Sequence, residues 1–327
     1  MEISLTGDRP TGHLHLGHFV GSLTNRIALQ SDYSQYVMVA DVQALTDYYH
    51  NPALIVENVY NVVEDYLSVG LTPQDNTIFL QSSVPALAEI AMYFLNLVSI
   101  ARVQRNPTVK TEIAQKDMGE SVSAGFVCYP ISQAADILAF KANVVPVGDD
   151  QLPMIEQTNE IVRKFNSTYV EIFGEVKALL SATARLPGID GKAKASKSLN
   201  NAIFLSDSAE VVKEKVMQMY TDPNHLKVSD PGRVEGNVVF EYLDAFYPDQ
   251  EELESLKAHY RRGGLGDVVL KKMLIQTLHD VLEPIRARRV TITRDAIREI
   301  LSHGCKNANL VASQTLGEMR AAMHLIY

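Results

Sequence analysis

The sequence predicts an α/β protein: a mostly parallel sheet wrapped by helices, followed by an all-helical region. Two observations carry this. In the first half, short apolar runs of strand length alternate with stretches of helical period, and after Gly188 strand signals nearly vanish. Strands separated by helices of this length need right-handed crossovers, which leave neighbouring strands parallel. A chain of 327 residues is also long for a single core. The expected division is a first domain over residues 1–190 and a second over 191–327, with the last helix packing back on the first domain.

Residues 3–6 read as the first strand, ending in the turn-rich segment Gly7-Asp8-Arg9-Pro10-Thr11-Gly12. A helix is expected from about Gly17 to Gln30. Residues 36–40 and 77–81 are continuous apolar runs of strand length, and 52–69 between them carries helical periodicity. Residues 144–147 form a fourth such run, leading into a polar helix through Arg163. The loop 188–201 is rich in Gly, Lys, Ser and Asn. Beyond it, 209–220, 251–260, 270–289 and 293–302 read as helices, and 307–325 as a separate, final amphipathic helix.

Composition narrows the function classes. A chain that is 46% hydrophobic can bury a sizeable core, and its net charge of −9 excludes a generally basic nucleic-acid coat while leaving room for a local patch. The two cysteines, Cys128 and Cys305, form no CxxC pair, so neither a disulfide scaffold nor a cysteine-held metal is expected. No signal or transit peptide and no run of about 18 apolar residues is seen, so a cytoplasmic protein without a membrane partner is expected.

Two segments carry chemistry. Thr11-Gly12-His13-Leu14-His15-Leu16-Gly17-His18 lies between a strand and a helix, where unpaired N–H groups and the helix dipole favour phosphate. Its histidines can donate to charge that develops on phosphate oxygens, and Gly17 leaves room for a flat ligand. The same segment could equally be three histidines in a polar surface turn. Asp190-Gly191-Lys192-Ala193-Lys194-Ala195-Ser196-Lys197-Ser198 places three lysines among small residues, as a loop that folds over a triphosphate would, or as a solvated linker would.

The pairing of these two segments resembles the class I aminoacyl-tRNA synthetases, whose signatures HIGH and KMSKS stand here as HLGH at 15–18 and KASKS at 194–198. GDRPTG at 7–12, ADVQALT at 40–46, SAGFVCYPISQAADIL at 123–138, VPVGDDQLPMIEQTNEIVRKFN at 145–166, YTDP at 220–223 and PIRAR at 284–288 extend the likeness to the tryptophanyl branch. Arg9 and Gln133 suit its second, divergent bacterial group. The resemblance implies a Rossmann-like domain followed by a helical, tRNA-binding one. It implies catalytic roles for His15, His18, Lys194 and Lys197. ATP, carrying Mg²⁺, would be held by Arg9, Thr11, Gly17, His18, Gly148, Asp150, Lys194, Ser196 and Lys197. Tryptophan would be held by Leu5, Gln43, Tyr129, Gln133, Asp136 and Gln151, the Asp136 carboxylate facing the indole N–H. No metal bound by the protein itself is implied.

It further implies tRNA(Trp) as partner and a homodimer, for which the apolar segment 86–100 is the expected interface. Ala195 departs from the family's methionine, so the loop is expected to be looser or anchored by Leu199. Lys110, with Arg102 and Arg105, is a weaker phosphate candidate. The stretch from Lys257 to Arg294 is locally basic and is the expected RNA face, or else a solvated cationic face of a helical bundle. Tyrosine activation, a non-charging paralogue and a small-molecule nucleotidyltransferase are the competing readings.

Overall fold

A computed structural model describes residues 1–115, 122–180, 186–192, 194–197 and 199–326. Its sheet contains β1 (Ile3–Asp8), β2 (Ser34–Val39), β3 (Asn76–Leu80), β4 (Val144–Val147) and β5 (Lys177–Leu180), all parallel, in the order β3-β2-β1-β4-β5. The order reverses between β1 and β4. Ligands of open α/β sheets bind at such a switch point, beyond the carboxyl ends of the strands.

The helices follow in sequence. In the first half they are α1 (Leu16–His18), α2 (Thr24–Leu29), α3 (Asp41–Tyr48), α4 (Ala53–Val69), α5 (Ala86–Leu95), α6 (Ile100–Gln104), α7 (Pro107–Gln115), α8 (Ala124–Ala139) and α9 (Leu152–Thr168). A single π-helical turn, Phe19–Leu23, joins α1 to α2. The second half holds α10 (Ala209–Met217), α11 (Val238–Phe246), α12 (Gln250–Arg262), α13 (Asp267–Arg289) and α14 (Arg294–Ala322).

The four expected strands are present within two residues of their expected ends. Strand β5 and helix α11 were not anticipated from the sequence: Lys177–Leu180 offers only a four-residue run, and Asn237, whose side chain accepts from the Val239 N–H, caps α11 in a stretch assigned no element above.

The two helices expected at 293–302 and 307–325 are one continuous helix. Gly304 sits in its middle because the helix crosses β3 there; a Cβ on Gly304 would lie 1.8 Å from the Ile78 carbonyl oxygen. The helix-breaking residue of the sequence is thus a contact residue of the structure. Next to it, Cys305 Sγ lies 3.3 Å from the Leu80 amide nitrogen, and Asn309 donates to the Ser83 carbonyl at 2.8 Å.

One apolar core runs from Leu14, Val37 and Val62 through Leu243 and Leu282 to Ile297, and so joins the first half of the chain to the helical half. A second, on the other face of the sheet, gathers Tyr36, Phe79, Phe140 and Ile155 with Ala308, Ala312 and Met319 of α14. Between them the two cores hold the carboxyl edge of β1 and β4 in place.

Candidate active site

The carboxyl edge of β1 and β4 opens into a cavity of about 410 Å³. On the side of the HLGH turn its walls include Arg9, Thr11, His18, Gly148 and Lys197; on the side of α8 they include Leu5, Gln43, Tyr129, Gln133, Asp136 and Gln151. Segments as far apart in sequence as Leu5 and Lys197 therefore meet in one space.

The turn is built from its own histidines. His15 is the N-cap of α1: its Nδ1 accepts the Gly17 N–H at 3.1 Å, and the His15 N–H donates to His18 Nδ1 at 3.2 Å. A ring nitrogen that accepts carries no proton, so both imidazoles hold theirs on Nε2 and can donate from there. Burial pushes His15 down to about 2, helped by the nearby His18 and Lys197, and pushes His18 down to about 4 against the pull of Asp8. Both rings are therefore neutral donors at neutral pH.

The expected roles of the turn need two adjustments. His15 does not line the cavity: it is buried behind His18, ring centroids 3.9 Å apart, and edge-on to Phe204. Gly17 is required by His15 and does not face the cavity, since a Cβ there would fall 2.8 Å from the His15 ring.

Behind His18 lies a buried cluster that sequence reasoning missed. Arg26, 2% exposed, donates to Asp8 Oδ2 at 2.7 Å, and Tyr66 OH donates to the same oxygen at 2.7 Å. Although burial opposes it, the Arg26 guanidinium holds the Asp8 carboxyl well below the usual carboxylate range. Asp8 and Arg26 both reach the cavity wall. The signal for them, an Asp at the end of the first strand and an Arg mid-helix, is too common to single out.

The KASKS loop is stapled down. The Ala195 N–H donates to the Leu186 carbonyl at 3.1 Å, and the Ser196 N–H donates to Asn201 Oδ1 at 2.9 Å; Asn201 is buried and also reaches Asp190. Ala195 is buried, and the space beside it is closed by the turn: a Cβ on Gly17 would lie 3.8 Å from that of Ala195. The expectation of a looser loop or a Leu199 anchor is thereby corrected, for Leu199 is 58% exposed. Ser198 lies outside the described residues.

Lys197 Nζ donates to the Gly12 carbonyl at 2.8 Å and lies 3.4 Å from Thr11 Oγ1. Burial lowers its pKa, and the carboxylates of Asp8 and Asp65 oppose that. Lys194 and Asp150 are exposed, Ser196 is half-buried, and none of the three lines the cavity; the Asp150 carbonyl accepts from Thr108 at 2.8 Å. Lys110 is exposed, Arg102 is committed to Glu160 at 2.7 and 2.9 Å, and Arg105 Nε donates to the Ala101 carbonyl at 3.0 Å, so this group is not gathered at the cavity.

The α8 side is organised around one carboxylate. Ser123 starts the helix by accepting the Phe126 N–H, and the period then turns Tyr129, Gln133 and Asp136 to the cavity. Asp136, 3% exposed, is met by Gln81 Nε2 at 3.0 and 2.9 Å, while Gln81 Oε1 accepts the Gln43 N–H at 3.0 Å. Burial pushes the Asp136 carboxyl up to about 7, with the Gln81 bond pulling it down. Gln81, at the end of β3, was expected only as a strand residue. Glu112 of α7 also enters the wall, and burial and its charge raise the Tyr129 phenol.

The family described as tRNA synthetases class I (W and Y) matches residues 2–283. This chain belongs to that family. The synthetase is 56% identical over 335 residues to the tryptophan--tRNA ligase of Streptococcus agalactiae serotype V, covering 99% of this chain and 98% of the relative. To the protein of the same name from Clostridium longisporum it is 56% identical over 333 residues, covering 100% and 98%. Its fold is similar to that of the Campylobacter jejuni tryptophanyl-tRNA synthetase complexed with ADP and tryptophan, with TM-score 0.84, 27% identity, and 98% and 99% of the two chains covered. The Mycoplasma pneumoniae tryptophanyl-tRNA synthetase, at 24% identity and TM-score 0.82, shares the fold.

The basic stretch of the synthetase from Lys257 to Arg294 is divided: Arg261, Arg262, Lys272, Arg288 and Arg294 are exposed, and others are engaged within the protein. Lys257 is buried against Asp244 and Glu254, and Lys271 donates to the carbonyls of Met217 and Met219. Arg286 Nε donates to the Asp207 carbonyl at 3.1 Å, Arg288 Nε to that of Ser68 at 2.6 Å, and Arg289 engages Glu64 and Asp65. Arg261 pairs with Glu235 and Arg294 with Glu57. Part of the expected cationic face thus fastens helices together, and part stays at the surface.

Proposed function

We propose that this synthetase activates L-tryptophan with ATP and transfers it to the 3′ end of tRNA(Trp). The observation that carries the choice of amino acid is Asp136: a buried carboxylate at a cavity wall, held by Gln81 on one side and able to accept one more donor from within. An indole N–H is such a donor. Phenylalanine lacks one and would leave the carboxylate short of a partner, at about 1–3 kcal/mol.

In the first step a tryptophan carboxylate oxygen attacks the α-phosphorus of ATP and pyrophosphate leaves. In the second, a hydroxyl at the tRNA 3′ end attacks the adenylate's carbonyl carbon and AMP leaves. No side chain forms a bond to either substrate, so the protein works by positioning and charge stabilisation. His18 Nε2–H and the Lys197 ammonium stand where they can meet charge growing on the phosphates. Tyr129 and Gln151 suit the amino acid's polar end, and Gly148 the ribose. Lys194, exposed on the same loop, would add its charge from outside the cavity wall.

Among the described residues no group of three or more His, Cys, Asp or Glu side chains is arranged for a metal ion, so Mg²⁺ would be carried by the phosphate oxygens of ATP. A cytoplasmic homodimer is part of the same reading. The outward residues Met92 of α5 and Ile100 of α6, 59% and 74% exposed, are where its contact is sought.

Amino-acid-dependent exchange of pyrophosphate into ATP tests the assignment. Tryptophan is expected to support exchange and tyrosine not to; the reverse would sink it. Charging of total tRNA with labelled tryptophan tests the second step.

A further inference from the structure

The HLGH turn is gripped from outside the cavity, by groups that do not line it. Leu14, the residue before the N-cap His15, is fully buried, and its N–H donates to Asp65 Oδ2 at 2.7 Å. Asp65 is a residue of α4 with no exposed surface, and its other oxygen engages Arg289 Nη2 in the last turn of α13. Arg289 Nη1 engages Glu64 in the same fork, and the neighbouring Arg288 holds the Ser68 carbonyl. His13 Nδ1 lies 3.6 Å from Asp65 Oδ2. On its far side the turn is fixed by the chain that follows the KASKS loop: the Leu205 N–H donates to the Leu14 carbonyl at 2.9 Å, and the Leu16 N–H donates to the Ile203 carbonyl at 2.9 Å.

A carboxylate buried this deeply keeps its charge only while a cation meets it. Without Arg289 the buried carboxylate loses its compensating cation and is driven to turn away, and the short, charge-assisted bond to Leu14 weakens. The Leu14 amide is one peptide from His15 and four residues from His18. A tilt there re-aims both rings, because each Nδ1 is tied to the backbone of the turn.

We propose that Asp65 and Arg289 are positioning residues for adenylation: Asp65 fixes the Leu14 amide, and with it the aim of His18, and Arg289 of α13 fixes Asp65. The inference rests on the reading of tryptophan activation given above. It makes one carboxylate the joint between the helical half of the chain and the phosphate-facing turn.

Full-length Arg289→Gln, Arg289→Lys and Asp65→Asn proteins would be compared with the wild type in tryptophan-dependent pyrophosphate exchange. Arg289→Gln and Asp65→Asn are expected to lower kcat about 10- to 100-fold, the scale of a small misplacement of a catalytic group, with the tryptophan KM unchanged. Arg289→Lys should recover part of the loss, since an ammonium can meet Asp65 but cannot fork to Glu64 as well. In Arg289→Gln the imidazole proton resonances of His15 and His18 should shift, although residue 289 touches neither ring.

A folded Arg289→Gln protein with wild-type kcat and unmoved resonances would overturn the proposal. So would a lower Tm with kcat intact, or a parallel rise in tryptophan KM. Should Asp65→Asn fail to fold, Arg289→Gln, which leaves the inner carboxylate in place, decides. A wild type without tryptophan-dependent exchange would refute the activity reading instead of the clasp, and the two failures are told apart by that control.

Discussion

Lowering the pH from about 8 to about 6 should weaken tryptophan binding roughly tenfold. Burial pushes the Asp136 carboxyl up to about 7, so about nine-tenths of the empty pockets hold a carboxylate at the higher pH and about one-tenth at the lower. Only the carboxylate accepts the indole N–H, and kcat/KM for tryptophan should follow that fraction. Once tryptophan is bound its N–H stabilises the charge, so kcat at saturation should break at a lower pH than kcat/KM. The effect on folding has the opposite sign. A carboxyl raised above its unfolded value takes up a proton more readily when folded, so its contribution to stability is present at acid pH and is lost as pH rises through about 4 to 7. Asp136→Asn should flatten the binding profile and cost about 1–3 kcal/mol in kcat/KM. Steady-state exchange kinetics at fixed ionic strength would show this. A tryptophan kcat/KM that is flat between these pH values, or an Asp136→Asn enzyme that keeps the wild-type slope, would refute the reasoning.

Other outcomes follow from the same geometry. His18→Ala should cut the exchange kcat about 100-fold or more by removing a neutral donor, and His15→Ala should instead lower thermal stability by about 1 kcal/mol through loss of the cap. Because burial holds His18 at about 4, its ring should show no titration between about pH 5.5 and 8 by NMR. Gly304→Ala should destabilise by about 3 kcal/mol in urea melts, since both atoms that would collide are main-chain or bonded to it. Arg288→Gln should lower stability by about 1 kcal/mol in the same melts, because its Nε donates to the Ser68 carbonyl at 2.6 Å.

The parts of this molecule that could be read in the sequence are those whose pattern is local. The strand runs at 36–40 and 144–147 and the helix at 53–69 declare themselves by apolar spacing alone, and HLGH and KASKS by short strings. What could not be read depends on distant partners. Gly304 breaks a helix by propensity and permits one by contact with Ile78. Gln81 is an ordinary strand-end residue until Asp136 is placed beside it from 55 positions away. The arginines of α13 look like an RNA-binding run because their acceptors, Ser68, Glu64 and Asp65, lie more than 200 residues upstream. His15 and Gly17 were legible as a motif but not as a cap and the space that cap requires.

Strand β3 is one of the two outer strands of its sheet, and an uncovered outer strand is a template for pairing with other chains. Here α14 lies along it, with Gly304 on the Ile78 carbonyl and Cys305 at the Leu80 amide. The strand and its cover are separated by 225 residues, so on the ribosome one is made early and the other late. During that interval a nascent chain carries a parallel sheet whose β3 border is raw, and an arrested or clipped product keeps it so permanently. The quality-control burden of this protein should therefore fall on chains that stop short of α14, which are expected to aggregate more readily than the full chain.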